Sequence, residues 1–202
     1  MVNIALTGFF SGLSLIVAIG AQNAYVLRLG LMRTYVGIAV VICALSDAIL
    51  IIAGTAGMGA LVSQNQILLK IISWVGAGYL LFYGATAFWR ARKPNVLLPT
   101  EQELPSKRKV ILAVIGFTWL NPHVYLDTVL LLGSIGSQFG SDRWWFALGA
   151  SIGSVLWFTG LGYGSKAAAK IMSRPITWRI LDIFIGVVMT TIAISLIRTA
   201  LA

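Results

Sequence analysis

"FTWLNPHVYLDTVLLLGSIG", residues 117–136, decides how the chain folds. Its apolar residues are those of a membrane span, yet it holds Asn121-Pro122, the only histidine, His123, and the carboxylate Asp127. Pro122 removes a backbone donor and clashes with the carbonyl four residues earlier, so the helix is expected to break or kink there. Backbone groups freed in hydrocarbon need partners, so such a break belongs against protein or water and not against lipid. The helix that restarts beyond it directs amides and partial positive charge outward, which suits a carboxylate. A simple packing kink is the plainer alternative.

Apolar runs of this kind recur along the chain. It has 202 residues, 58% hydrophobic and 10% charged, with mean hydropathy +0.90. A soluble domain would carry roughly a quarter charged residues. The runs are continuous rather than alternating, which favours a polytopic helical membrane protein over a β-barrel. Arg28 is the first basic residue, so the positive start of a cleavable signal is missing and the first span is expected to stay. Cys43 is the only cysteine, so it forms no intrachain disulfide and is expected to pack as a small apolar side chain. The net charge of +9 could point to nucleic acid, but no basic, aromatic-interleaved soluble domain carries it. The positive residues instead sit in short loops, the signature of membrane orientation.

Six spans are expected, at roughly 4–27, 36–62, 67–89, 110–135, 144–165 and 176–199. Of the 15 basic residues, all but Lys70, Arg143 and Arg198 fall in the connections after spans one, three and five. That side should be cytoplasmic, so both termini should lie outside the cytoplasm. The longest connection, Arg90 to Lys109, joins two halves of similar length. Residues 1–93 form a first three-helix unit, 94–106 a cytoplasmic linker and 107–202 a second three-helix unit. Three spans per half insert the halves with opposite orientation, the geometry of an inverted repeat. Aligning Asn23 with Asn121 also aligns Val26 with Val124, and "GYLLFYGATAFWR" (78–90) matches "GVVMTTIAISLIR" (186–198) in length. The expected fold is all-α and integral to the membrane, with helices one and four broken.

In span one, "AIGAQNAYVL" (18–27) places a flexible Gly20 and two amides, Gln22 and Asn23, at the place corresponding to Asn121-Pro122. Asp47 and Asp127 lie deep in apolar runs, where a charge costs a few kcal/mol and faces a partner or a wet path. No basic residue lies inside a span to neutralise them, so they ask for a proton, a metal ion or a cationic substrate. Structural hydrogen bonds are the alternative. His123 stands four residues before Asp127, so the pair could relay protons, or His123 could donate to a carbonyl. Asp182 is one turn from Arg179 and is expected to form a local ion pair. One histidine, one cysteine and scattered aspartates make no recognisable metal site. No cofactor motif, Walker loop or paired nucleophile and base is present, which excludes ATP-driven transport by this chain and argues against an enzyme. Gly8-x-x-x-Gly12 and Gly149-x-x-x-Gly153 suit either internal helix packing or a homodimer seam.

The stretches "IGAQNAYVLRLGLMR", "ALSDAILIIAGTAG", "FTWLNPHVYLDTVLLLGSIG" and "RWWFALGASIGSVLWF" resemble the LysE family of basic amino-acid exporters, its arginine/lysine branch above all. The resemblance covers both halves, and "TWLNPHVYLDT" with "GAQNA" is its specific part. It implies export of arginine or lysine across a bacterial inner membrane without ATP, driven by an ion gradient, with a proton as first choice, or by membrane potential. It places Asp127, Asp47, Asn121, Asn23 and Gln22 at the substrate, with Pro122 and Gly20 as the helix breaks. Many relatives carry Pro where Ala21 stands, so the break in span one is expected to be softer here. Some relatives lack the histidine at His123, which weakens an obligatory relay. Export of a neutral amino acid or a metal cation, or an ion channel, are the alternative readings.

Overall fold

The computed structural model describes residues 1–18, 20–58, 66–92, 104–167 and 175–201, and these are all helix and short connections, with no strand among them. Each of the predicted apolar stretches is largely helical over its described residues. The first is a bent pair, α1 (Val2–Ile16) and α2 (Ala21–Leu31), whose axes differ by 84°. The second is α3 (Val36–Ala53), continued by a π-helical turn, Gly54–Met58. Then come α4 (Gln66–Arg92) and α5 (Lys107–Trp119). A 57° bend leads into α6 (Pro122–Ser137), whose middle, Tyr125–Leu132, is π-helical. The chain closes with α7 (Arg143–Ala167) and α8 (Pro175–Leu201). Four helices are long and apolar enough to cross a membrane, and up to six spans result if each bent pair is one. The predicted linker 94–106 lies largely outside the described residues.

The faces sort as a bilayer requires. On α3, Val41, Leu45, Ile49 and Ile52 point outward while Ala39, Cys43, Ser46, Asp47 and Leu50 point in. Cys43 is buried in an apolar cluster with Val26, Val40, Val114 and Phe158, as its isolation in the sequence led one to expect. So much exposed apolar surface is incompatible with water and fits hydrocarbon. The chain is a multi-pass membrane protein.

Small residues set the crossings. α1 lies against α7: a methyl on Gly8 would strike the Phe146 carbonyl, and one on Gly149 the Ala5 carbonyl. The two glycine pairs are therefore used in internal packing, where close backbone approach replaces the hydrophobic drive that lipid does not supply. α3 lies against α5 and α6, with Gly54 seated on the backbone of Val129 and Gly133 on that of Gly54. α4 and α8 pack along their length through Ala77, Leu80 and Ala87 against Ile185, Met189 and Leu196. α7 also lies against α2 and α3.

Candidate functional site

The α1–α2 break is sharper than the resemblance led one to expect, although no proline is present. Gly20 is extended at φ −106° and ψ 179°, and the helix restarts at Ala21. The released carbonyls are taken up locally: Asn23 Nδ2 donates to Ile16 O and to Ala18 O, both at 2.7 Å. Trp157 Nε1 on α7 donates to Asn23 Oδ1 at 3.3 Å. Asn23 thus spends its amide on the break, and a 92%-buried side chain at this spot has little left for a solute. The other end of the break is treated differently. Gly20 has no side chain to cap the first-turn amides of α2. Gln22, in that turn, reaches toward the Cys43 thiol, a weak acceptor, and its buried Nε2 has no hydrogen-bond partner of standard geometry.

The α5–α6 break reverses these terms. Asn121 is the N-cap of α6, its Oδ1 accepting from His123 N at 3.2 Å, and Pro122 takes the first helical turn, where its missing donor costs nothing. The freed Trp119 carbonyl accepts from the Tyr125 hydroxyl at 2.9 Å. The first-turn backbone donors here are satisfied, and the carboxylate at this break stays open. Asp127 is half-buried, lies in the π-helical stretch and has no hydrogen bond or ion pair among the described residues. His123, one turn earlier, is its electrostatic neighbour. π-helical turns inside helices concentrate at functional sites, and Asp127 sits on one.

The two breaks are neighbours. Tyr25 on α2 and Phe117 on α5 lie ring to ring at 5.1 Å, and both belong to one core cluster with Ala21 and Ala24. Spans two and five bridge them. Trp119 Nε1 donates to Ser46 Oγ at 3.1 Å, next to Asp47, and Ser154 Oγ on α7 donates to Asp47 Oδ2 at 2.7 Å. Ser154 is one turn from Trp157, which holds Asn23. A polar thread therefore runs from one break to the other through Ser46, Asp47, Ser154 and Trp157. Asp47 is 4% exposed and already held, whereas Asp127 is accessible and unheld. Gln22, Asn23, Asp47, Asn121 and His123 gather in this region, and Gln22 Nε2 and the Asp127 carboxylate are among the groups that keep hydrogen-bonding capacity unspent.

Sequence reasoning missed Ser46, Ser154, Trp119 and Trp157. A signal existed for the tryptophans, because an indole N–H in an apolar run must find an acceptor. It also mistook Asp182. That carboxylate pairs with Arg28 on α2 and with Arg90 on α4, and not with Arg179 on its own helix. Arg28 lies in the last turn of α2 rather than in a loop, buried against Trp178 at 5.9 Å. Arg179 is on the exposed side of α8, which is why the one-turn spacing misled. No group of three or more His, Cys, Asp or Glu able to hold a metal comes together among the described residues.

The model of the LysE type translocator family matches residues 13–200. A lysine exporter LysE of Corynebacterium diphtheriae is 41% identical over 225 aligned residues, covering 96% of this chain and 99% of its own. An arginine exporter protein ArgO of Pectobacterium carotovorum subsp. carotovorum is 40% identical, covering 98% of each chain, and one of Serratia proteamaculans is 40% identical, covering 97% of each. No solved structure matches the chain. With nearly its whole length matched, this multi-pass membrane protein belongs to the LysE-type translocator family, whose members are transporters and not enzymes.

Proposed function

We propose that the chain exports arginine, lysine or both across the bacterial inner membrane, as a secondary transporter driven by an ion gradient or the membrane potential. The observation that carries this reading is the opposite polarity of two adjacent helix breaks. The α2 end offers unspent donors, the first-turn amides and Gln22 Nε2, to a carboxylate. The α6 end offers an unspent carboxylate, Asp127, to a cation. A basic amino acid carries both complements, and the names of the lysine- and arginine-exporting relatives agree. Asn121 and Asn23 then shape the breaks around the substrate. Asp47, held by Ser154, is the candidate for the coupling proton, with His123 beside Asp127 as a relay.

The same reading takes each bent pair as one span, which makes six, in two inverted units, 1–93 and 107–202, joined by a cytoplasmic linker. Exchange symmetry of the packing supports it. The broken span of each half lies against the second span of the other, α1 on α7 and α5–α6 on α3, and the third spans, α4 and α8, lie on each other. Both termini then face away from the cytoplasm, and the end that carries Arg28 and Arg90 is the cytoplasmic one.

Counterflow of labelled arginine in proteoliposomes tests the assignment. Asp127→Asn removes charge and keeps volume, so the half-saturating arginine concentration should rise roughly ten- to a hundred-fold, the weight of a charge-assisted contact. Unchanged affinity in that variant would remove Asp127 from the substrate. Asp47→Asn should abolish gradient-driven export and leave exchange between equal pools running.

A further inference from the structure

We propose that Asp182 is the first contact for the cationic end of the substrate on the basic face, and that Arg90 is a tethered surrogate which the substrate displaces. The inference rests on the export of basic amino acids proposed above and adds a second, earlier site.

Asp182, on α8, draws Arg28 from α2 and Arg90 from α4, so one carboxylate ties three helices together at this end of the molecule. Arg28 Nη1 donates to Asp182 Oδ1, and Arg90 donates to the same oxygen through Nε at 3.2 Å and Nη2 at 3.1 Å. One carboxylate cannot neutralise two guanidiniums, so the group keeps an excess positive charge and the two arginines repel each other.

The two arginines are not equivalent. The Arg28 side chain is 10% exposed and stacked beside Trp178, whereas that of Arg90 is 37% exposed. At the same time Arg90 Nη1 makes a long contact to Thr86 Oγ1 on its own helix, at 3.4 Å. Arg90 is therefore the partner able to leave. Removing a cation from a buried carboxylate is normally costly because it strands the charge. Here Arg28 stays on the same oxygen, so the carboxylate is not stranded when Arg90 leaves, and an incoming guanidinium or ammonium takes the vacated place. A neutral side chain brings no charge to that vacated place, so the contact favours cationic side chains.

What lies beyond the triad suits a cation in transit. Tyr25 is three residues before Arg28 on α2, and Tyr83 is seven before Arg90 on α4. Their rings stand 6.2 Å apart, and each packs on Phe117, at 5.1 and 4.8 Å. Aromatic faces attract guanidinium and ammonium groups. Tyr25 is in turn one turn from Gln22, at the α2 end of the candidate site. The order along α2 is thus ion-paired Arg28, aromatic Tyr25, open amide donor Gln22.

The test uses the full chain in right-side-out and inside-out membrane vesicles, with arginine exchange titrated from each face. Arg90→Gln should lower the half-saturating arginine concentration on the basic face by roughly two- to ten-fold, since a competing hydrogen-bonded partner is gone, and leave the opposite face unchanged. Asp182→Asn should raise it on the basic face roughly ten- to a hundred-fold, again on that face alone. If Asp182→Asn does not fold, Arg90→Gln decides by itself. Equal shifts on both faces, or no shift on the basic face, would overturn the proposal while leaving the exporter reading in place. A wild-type protein that exchanges neither arginine nor lysine would overturn both.

Discussion

The α1–α2 pair bends by 84° with no proline, and the α5–α6 pair bends by 57° at Asn121-Pro122. Proline therefore does not set the size of the bend. What differs is how much of the helical ladder survives. Into the second break Leu120 N still reaches Gly116 O at 3.0 Å, and Asn121 N reaches Thr118 O at 3.4 Å, so few carbonyls are released. At the first, two carbonyls are released outright, and Asn23 re-bonds both from seven and five residues away. A side-chain amide that supplies two donors permits a sharper turn than a ring that merely removes one. The comparison also separates polarity. One break closes its released carbonyls and leaves first-turn amides open; the other closes its first-turn amides and leaves a carboxylate open.

The largest expected effect follows from that difference in re-bonding. Asn23→Ala should leave two part-buried carbonyls and the Trp157 indole N–H without partners, each costing at most about 1–3 kcal/mol. Asn121→Ala loses a single cap, worth about 1 kcal/mol. In thermal unfolding in detergent, Asn23→Ala should lower Tm by on the order of 10 °C and Asn121→Ala by a few degrees. The reverse order would mean that the second break, and not the first, carries the strain.

A smaller effect should separate binding from stability. Gln22→Leu removes a buried donor whose nearest acceptor is the weak Cys43 thiol, so Tm should hold or rise. The half-saturating arginine concentration should nevertheless increase roughly two- to ten-fold, the weight of one neutral hydrogen bond. A clear drop in Tm with unchanged affinity would return Gln22 to the structure and close the donor end of the site.

The fold was legible because hydrocarbon punishes exceptions. Asn121-Pro122 marked one break correctly, and the spacing of apolar runs located the long helices among the described residues to within a few positions. Asp47 and Asp127 stood out for the same reason; Asp47 bonds Ser154 between the breaks, and Asp127 stands unheld beyond the second. The sharper first break was legible only in part: Gly20 marked its place, but that Asn23 would fold back on Ile16 and Ala18 depends on a bend the sequence does not state. Ser154 stayed hidden because serine in an apolar helix usually bonds its own backbone. The Arg28–Asp182–Arg90 group stayed hidden because its members are far apart in the chain. A nearer partner, Arg179, offered itself by helical spacing alone.

The smallest expected effect bears on whether proline matters at either break. Pro122→Ala should leave the 57° bend in place, because Asn121 keeps its extended backbone and its cap on His123 N, and Tyr125 keeps the Trp119 carbonyl. The reciprocal change, Ala21→Pro, puts the ring at the first position of α2, whose N–H has no intrahelical acceptor. Gly20, at ψ 179°, already has the conformation that a residue before proline prefers. Each change should therefore shift stability by no more than about 1 kcal/mol, Pro122→Ala downward and Ala21→Pro upward if the buried ring fits, through the stiffness of the unfolded chain. Transport adds a finer reading. Ala21→Pro deletes one first-turn amide and leaves those of Gln22 and Asn23, so arginine half-saturation should stay within about ten-fold of wild type. A loss beyond that, with Tm unchanged, would place the substrate carboxylate on the Ala21 amide itself. It would also make the absence of proline at this break a requirement of binding instead of an accident of packing.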